Sequence, residues 1–391
     1  MKMVELGKVI DINPRLPRGT DHNTEASFIA MADVGEDGSW SVSETKTVGE
    51  LKKGYTYFAK NDVVFAKITP CFENGKAAYF SGLPTEIGFG STEFHVLRPN
   101  KDVDGQYLYY TVWNPDFRAY GTWRMSGAVG QKRVTTDFLK KYEIPLPPLS
   151  EQKRIAAILD KADAIRRKRK AALDMADEFL RATFLDMFGD PVTNPKGWDV
   201  KPLGRLIKSN PKNGTITPAK EGGALQVVKV GQLGRYWIDQ ENCQEIDLSD
   251  KDRDRFSLEI GDILLARAIG SQSHLGKASI VSEDETNLVF DSHVMRVRFD
   301  HEQINPSYFW FWLKTNGGRT LFLKQSSQTA VQFNINGKQI AKLPVTTPPM
   351  REQEKFVGIL NKVFERFNVG ESGEEDDLFA SLSQRAFRGE L

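Results

Sequence analysis

The chain repeats itself once along its whole length. LGKVIDINPR at 6–15 returns as LGRLIKSNPK at 203–212, and KNDVVFAK at 60–67 returns as IGDILLAR at 260–267. GKAA at 75–78 returns as GKAS at 276–279, FHVLR at 94–98 as SHVMR at 292–296, and QYLYY at 106–110 as SYFWF at 307–311. The last match is PPLSEQKRIAAILD at 147–160 with PPMREQEKFVGILN at 348–361. All offsets lie between 197 and 201, and the order never changes. A chain of 391 residues also exceeds one ordinary core, at about 100–200 residues per domain. Two similar units in tandem are therefore expected, not one continuous domain.

Each repeat has two parts. The first mixes short apolar runs with Gly, Asn and Asp turns, the signal of an α+β domain. DVVFAKI, AAYFSG, STEFHVL, ALQVVKV, DILLARA and SHVMRVRF read as strands, and QYLYYTVWN and SYFWFWLKT as short buried helices. A Pro-Pro pair then bars helix upstream, Ser150 stands as an N-cap, and Glu151 puts a carboxylate in the first turn. From Ile155 the residues Ile158, Ala162, Ile165, Arg169, Ala172, Ala176, Phe179 and Thr183 step by three and four, with Leu159, Leu173, Leu180 and Phe184 widening the stripe. No Pro or Gly intervenes before Gly189, so a rod of roughly 55 Å is expected.

A rod that long with a narrow apolar seam wants a helical partner. The second copy supplies one through Phe356, Ile359, Val363 and Phe367, resumed by Leu378, Leu382, Ala386 and Phe387 after NVGESGEEDD. Antiparallel packing about a pseudo-twofold would bring the basic run 166–170 to Glu371, Glu374, Glu375, Asp376 and Asp377. Two separately solvated charged faces are the plainer alternative.

Enzyme signatures fail one by one. The five histidines show no His-x-x-x-His spacing, and no Gly-x-Ser-x-Gly elbow occurs. GSQSHLGKA at 270–278 is one residue too long for a phosphate loop and ends in Ala278, where Ser or Thr would bind magnesium. GFGSTE at 88–93 lacks the third glycine of a dinucleotide fingerprint. His95 and His293 fall at matching strand positions and read as core histidines; Asp62 and Asp262 read as turn aspartates. Cys71 and Cys243 make no disulfide framework, no apolar run approaches the ~20 residues of a membrane span, and the N-terminus lacks a secretory stretch. A reducing cytoplasm is the expected location. The net charge of +1 neither supports nor excludes a nucleic-acid partner, so a polyanion must be met by local patches.

IPLPPLSEQKRIAAILDKAD from Ile144 closely resembles the segment that opens the central conserved helix in specificity (S) subunits of type I restriction–modification enzymes. SLSQRAFRGEL from Ser381 resembles the way that family's chains end, and GDILLAR from Gly261 is similar to its strand motif. The resemblance implies an α+β fold of two globular target recognition domains, each followed by a long helix, the helices packed antiparallel with pseudo-twofold symmetry. The domains would be 1–147 and 191–348, the helices 148–190 and 349–391, the latter interrupted at 370–377. It further implies a non-catalytic subunit that reads a bipartite, asymmetric site on double-stranded DNA, one half per domain, with the helices fixing the spacer. Two adenine N6-methyltransferase (M) subunits carrying S-adenosylmethionine would dock on it. Restriction/translocase (R) subunits, using ATP and Mg, would join through them. No cofactor would sit in this chain.

Base edges are read by Arg, Lys, Asn and Gln through paired hydrogen bonds, and phosphates by Arg, Lys, Ser and Thr. The richest such stretch in the first repeat is TWRMSGAVGQKRVTT at 122–136, and its counterpart is LKQSSQTAVQFNIN at 323–336. The DNA-reading candidates are Arg124, Gln131, Lys132 and Arg133, then Lys324, Gln325, Gln328, Gln332 and Asn334. Lys67 and Arg267, at matching strand ends, are phosphate candidates. Trp40, Trp123 and Trp237 read as core or surface packing. The alternative to a DNA reader is a structural tether whose repeated domains bind protein partners only.

Overall fold

The structure, a computed structural model, describes residues 2–128, 130–282, 287–328, 332–367 and 374–391. Two units emerge: Met1–Arg169 with Gly373–Leu391, and Lys170–Ser372. The first is built on a four-stranded antiparallel sheet of β1 (Ile10–Ile12), β2 (Val63–Ala66), β3 (Ala77–Tyr79) and β4 (Phe94–Pro99), in the order β1-β4-β2-β3. Every residue of β2 is buried, which is why VVFA reads as an unbroken apolar run. Val63 and Phe65 face the core under helix α1 (Gly105–Trp113), while Val64 and Val96 face Phe58 and Phe80 on the other side. Helix α2 (Pro115–Trp123) follows, its Asn114 cap accepting the Asp116 N–H at 2.7 Å. The strand Glu143–Pro145 pairs antiparallel with Met3–Glu5, closing the unit on its own N-terminus before α3 (Leu149–Phe188) begins. That start puts Ser150 inside the first turn and not at the cap.

The second unit repeats the plan. Its sheet runs β5 (Ile207–Asn213), β9 (Val294–Phe299), β6 (Ile263–Ala266) and β8 (Ala278–Ile280), with β7 (Ala268–Ile269) continuing beyond β6. Helices α4 (Pro306–Lys314) and α5 (Asn316–Gln325) follow, then a hairpin of β10 (Ser327–Gln328) and β11 (Phe333–Asn334). Asp199–Pro202 pairs with Pro344–Thr347, the same closure as in the first unit.

The turn aspartates are structural, and identical in both units. Asp62, fully buried, accepts two hydrogen bonds from Arg98 (2.8 and 2.7 Å) and one from the Ala59 N–H (2.7 Å). Asp262 does the same with Arg298 (2.8 and 2.7 Å) and the Glu259 N–H (2.8 Å). A buried carboxylate held this way needs both partners, since losing one leaves a charge without compensation. The strand register corrects the reading of the histidines. Ala66 faces Phe94 and Ala266 faces Val294, so His95 corresponds to Met295, and His293 corresponds to Glu93. His95 is buried; His293 is exposed and pairs with Asp291 at 3.3 Å.

The 40 residues of α3 make a helix of roughly 60 Å, which Gly189 closes at φ 77°. Its first half lies in the first unit, its second half in the second. The buried apolar side chains are Ile155, Ala156, Leu159 and Ala162, then Ala176, Leu180, Phe184 and Phe188. Ile165 and Phe179, expected on the seam, are 56% and 53% exposed. The packed face draws on both sets, Leu159, Leu180 and Phe184 of the widening stripe together with Ala162 and Ala176 of the seam. The distal segment is two helices, α6 (Met350–Phe367) and α7 (Glu374–Arg388). Phe356 and Leu360 of α6 enter the second unit's core, and Phe379 and Ala386 of α7 enter the first's. Within the first unit Arg154 donates to the Leu391 carbonyl at 2.8 Å and Arg166 lies over the Phe379 ring, so these two segments run in opposite directions. Of the interruption expected at 370–377, residues 370–373, Glu371 among them, lie outside the described residues, as do the side chains of Glu374, Glu375, Asp376 and Asp377, while α7 is already helical from Glu374. Arg166 and Arg167 both pair with the buried Asp163 of their own helix.

The Gln of each Pro-Pro segment is buried and acts as a clamp. Gln152 is completely buried: its side-chain oxygen accepts the Asp104 N–H at 2.8 Å, and its amide donates to the Asp102 and Pro147 carbonyls, both at 2.9 Å. Gln353 accepts the Asn305 N–H at 2.9 Å and donates to the Pro348 carbonyl at 2.8 Å. In both units one glutamine therefore ties the start of the long-helix segment to the loop that opens the buried helix. No helix among the described residues is long and apolar enough to cross a membrane.

Candidate nucleic-acid interface

In the first unit the chain leaves β2 at Lys67 and meets the returning 126–134 loop. The Val134 N–H donates to the Lys67 carbonyl at 2.9 Å, and the Thr69 N–H to the Lys132 carbonyl at 3.0 Å. Arg133 bridges to both Ile68 and Ser126. In the second unit the Ile335 N–H donates to the Arg267 carbonyl at 2.8 Å, Ala268 pairs with Asn334, and Asn334 pairs in turn with Ser327. Both units thus bring the strand-end cation and the polar loop into one cluster. The loop backbone differs: the first unit has bridges, the second a short hairpin.

Within each cluster the side chains divide by what they already hold. Lys67 donates to the Thr92 carbonyl at 2.6 Å, and Arg267 donates to the Ser292 carbonyl at 2.7 Å, the corresponding position. Both cations brace the end of the neighbouring strand; the Arg267 Nε is buried without a hydrogen-bond partner. Arg133 forms a forked ion pair with Glu93 (2.9 and 3.0 Å), and the guanidinium holds that carboxyl below its ordinary range. Gln131 and Lys132 are exposed, as are Lys324 and Gln328; Gln325, Gln332 and Asn334 are half-buried. Arg124 is exposed at the end of α2, 4.8 Å from the Tyr120 ring centre and 5.1 Å from that of Trp123. Trp40 and Trp237 rest on Phe80 and Tyr236 at 5.1 and 4.4 Å. Trp123 is 76% exposed at the end of α2, its ring centre 6.4 Å from that of Tyr120, a surface position beside Arg124. The signal for it was its place at the helix end beside Arg124, before a glycine-rich stretch.

His95 anchors the base of the first cluster. Its Nε2–H donates to the Val134 carbonyl at 2.9 Å, and its Nδ1 faces the Asn13 amide at 3.1 Å. Burial pushes the imidazole down to about 4. The folded state holds the ring neutral, whereas a free histidine titrates near ~6.5. The stability His95 contributes is therefore complete above about pH 6.5 and is lost as pH falls toward about 4, on the order of 3 kcal/mol in all. Urea unfolding at pH 7.0 and 4.5 checks this: His95→Gln is expected to lose much less stability across that interval than the parent. Equal losses would mean that His95 is not the titrating group.

Two similar α+β units, each offering its own polar loop cluster at one place in the fold, define a protein with a repeated frame that carries two different surfaces. The family model described as the type I restriction modification DNA specificity domain matches residues 1–175 and again 195–375, and the chain belongs to that family. It is similar to the type I restriction enzyme EcoEI specificity subunit of Escherichia coli, with 26% identity across 92% of this chain and 77% of that one. It is also similar to the EcoAI specificity subunit of Escherichia coli, at 41% identity over 47% of this chain and 32% of that subunit. Among solved structures, the type I restriction-modification S subunit from M. genitalium shares the fold at a TM-score of 0.54 and 14% identity, covering 99% of this chain and 96% of that one.

Proposed function

We propose that the chain is the sequence-specific, non-catalytic DNA-recognition subunit of a type I restriction–modification complex, each unit reading one half of a bipartite, asymmetric site. The observation that carries this reading is the pair of loop clusters. They stand at corresponding places on corresponding frames, yet present Trp123, Arg124, Gln131 and Lys132 in one and Lys324, Gln325, Gln328 and Asn334 in the other. Unlike surfaces on like frames suit unlike half-sites, just as symmetric dimers suit palindromes. Exposed Arg, Lys and Gln side chains are the groups that pair with base edges and phosphates. The unbroken α3 supports a role as the ruler of the spacer.

In this proposal two adenine N6-methyltransferase subunits, carrying S-adenosylmethionine, dock on the chain in the cytoplasm. Restriction subunits, using ATP and Mg, join through them. Co-purification with the methyltransferase and mapping of adenine methylation across a sequenced plasmid test the reading. A two-part motif with one modified adenine in each half, absent when this chain is omitted, is the expected result. A motif unchanged by that omission would overturn it.

A further inference from the structure

The second unit contains a cavity of about 410 Å³ that the DNA-reading assignment does not use. Four cations line it, Arg235, Lys277, Lys314 and Arg319, together with Trp310 and Gly276, and no carboxylate is among its lining residues. Arg235 and Lys277 make no side-chain hydrogen bond or ion pair among the described residues. The Lys314 ammonium lies 4.3 Å from the Trp310 ring centre, and burial pushes it below its ordinary range against the opposing pull of Asp177. Arg319 donates to the carbonyls of Gln272 (2.7 Å), Ser273 (3.1 Å) and Leu275, which fixes the wall of the cavity.

The corresponding place in the first unit is filled by other side chains. Lys314 is replaced there by Trp113, whose indole donates to the carbonyls of Gly75 (3.1 Å) and Glu36 (3.3 Å) and packs on Phe379. Lys76, the counterpart of Lys277, donates to the Met31 carbonyl at 3.1 Å. One unit sets an indole at this place and ties its lysine to a carbonyl; the other sets an ammonium there and leaves the second lysine free to donate. Like charges gathered in a partly desolvated cavity repel one another, and an anion with several acceptor oxygens reverses the sign of that interaction.

We propose that this cavity binds a phosphate group, with Arg235 and Lys277 as the free donors and Lys314 and Arg319 as the fixed positive wall. The group could belong to a free phosphate-bearing ligand or to the DNA backbone; the latter source alone rests on the DNA-reading assignment.

The full-length protein is titrated with inorganic pyrophosphate at constant ionic strength, following its melting temperature. The double variant Arg235→Gln/Lys277→Gln should bind pyrophosphate about tenfold more weakly or worse. Lys251→Gln, an exposed cation elsewhere in the same unit, should bind as the parent does. The same proteins are then bound to a labelled duplex across a salt series. If the phosphate belongs to DNA, the double variant loses about 2 from the log–log salt slope, roughly one per cation. A pyrophosphate response with unchanged duplex binding assigns the site to a free ligand. A double variant indistinguishable from Lys251→Gln in both assays overturns the proposal. No duplex binding by any of the proteins, with the pyrophosphate response intact, would instead count against DNA reading and leave the cavity assignment standing.

Discussion

Phe184→Ala is expected to destabilise the second unit by about 3–5 kcal/mol, the range for truncating a fully buried phenylalanine. Phe184 is completely buried, with its ring centre 4.9 Å from Phe188, 5.6 Å from Tyr308, 5.5 Å from Phe311 and 5.3 Å from Phe356. It thus joins three elements, α3, α4 and α6, and a cavity there cannot collapse without moving all three. Phe179→Ala on the same helix is the control, because a ring that is 53% exposed should cost well under that, within about 0.5–1 kcal/mol. Urea unfolding gives the size of the effect. Hydrogen exchange read by mass spectrometry gives its place, with faster exchange expected in β6, β9 and α4 and none in β2 and β4. A loss for Phe184→Ala no larger than that for Phe179→Ala would mean that α3 is not part of the second unit's core.

The contrast between those two phenylalanines shows what the sequence made legible and where it stopped. The repeat, the strands β2, β6, β4 and β9 and the long helix all follow from apolar pattern and punctuation, because burial of a strand or a rod leaves a periodic trace. The helix, however, carries apolar residues around much of its circumference. Spacing alone does not say that Leu180 and Phe184 enter the second unit's core while Ile165 and Phe179 face outward; that choice belongs to the tertiary partner. His293 misled for a related reason. It shares a His-Val pair with His95 at an offset of 198, but hydrogen-bonded register sets the true offset at 200. The candidate residues were findable as a class, since loops rich in Gly, Gln and Lys ahead of the closing strand stand out in both repeats. Their individual states were not. Only coordinates show that Arg133 is held by Glu93, that Lys67 and Arg267 brace strand ends, and that Gln152 and Gln353 are buried clamps.

Exchanging residues 1–146 for the matching segment of a related chain with a different target is expected to replace one half of the methylated motif completely and leave the other half unchanged. The cut is chosen by the fold. Met3–Glu5 and Glu143–Pro145 pair with each other, so both strands of that closure travel together, while Pro147 and α3 stay. The incoming segment must still present an N–H to the Gln152 oxygen and a carbonyl to its amide, as Asp104 and Asp102 do here. It must also offer an aromatic bed for Phe379 and Phe387, as Tyr110, Trp113 and Tyr107 do. A donor that meets both conditions keeps the first unit's core, and its own loop cluster then stands where Gln131 and Lys132 stood. Methylation mapping of a plasmid carrying the parental site and a random library decides the outcome: parental sites should fall to background, and the new motif should keep the parental half read by the second unit. If both halves change, the loop clusters do not read independently. If neither changes, residues 1–146 do not read DNA at all, and recognition must lie with the second unit or with the partner subunits.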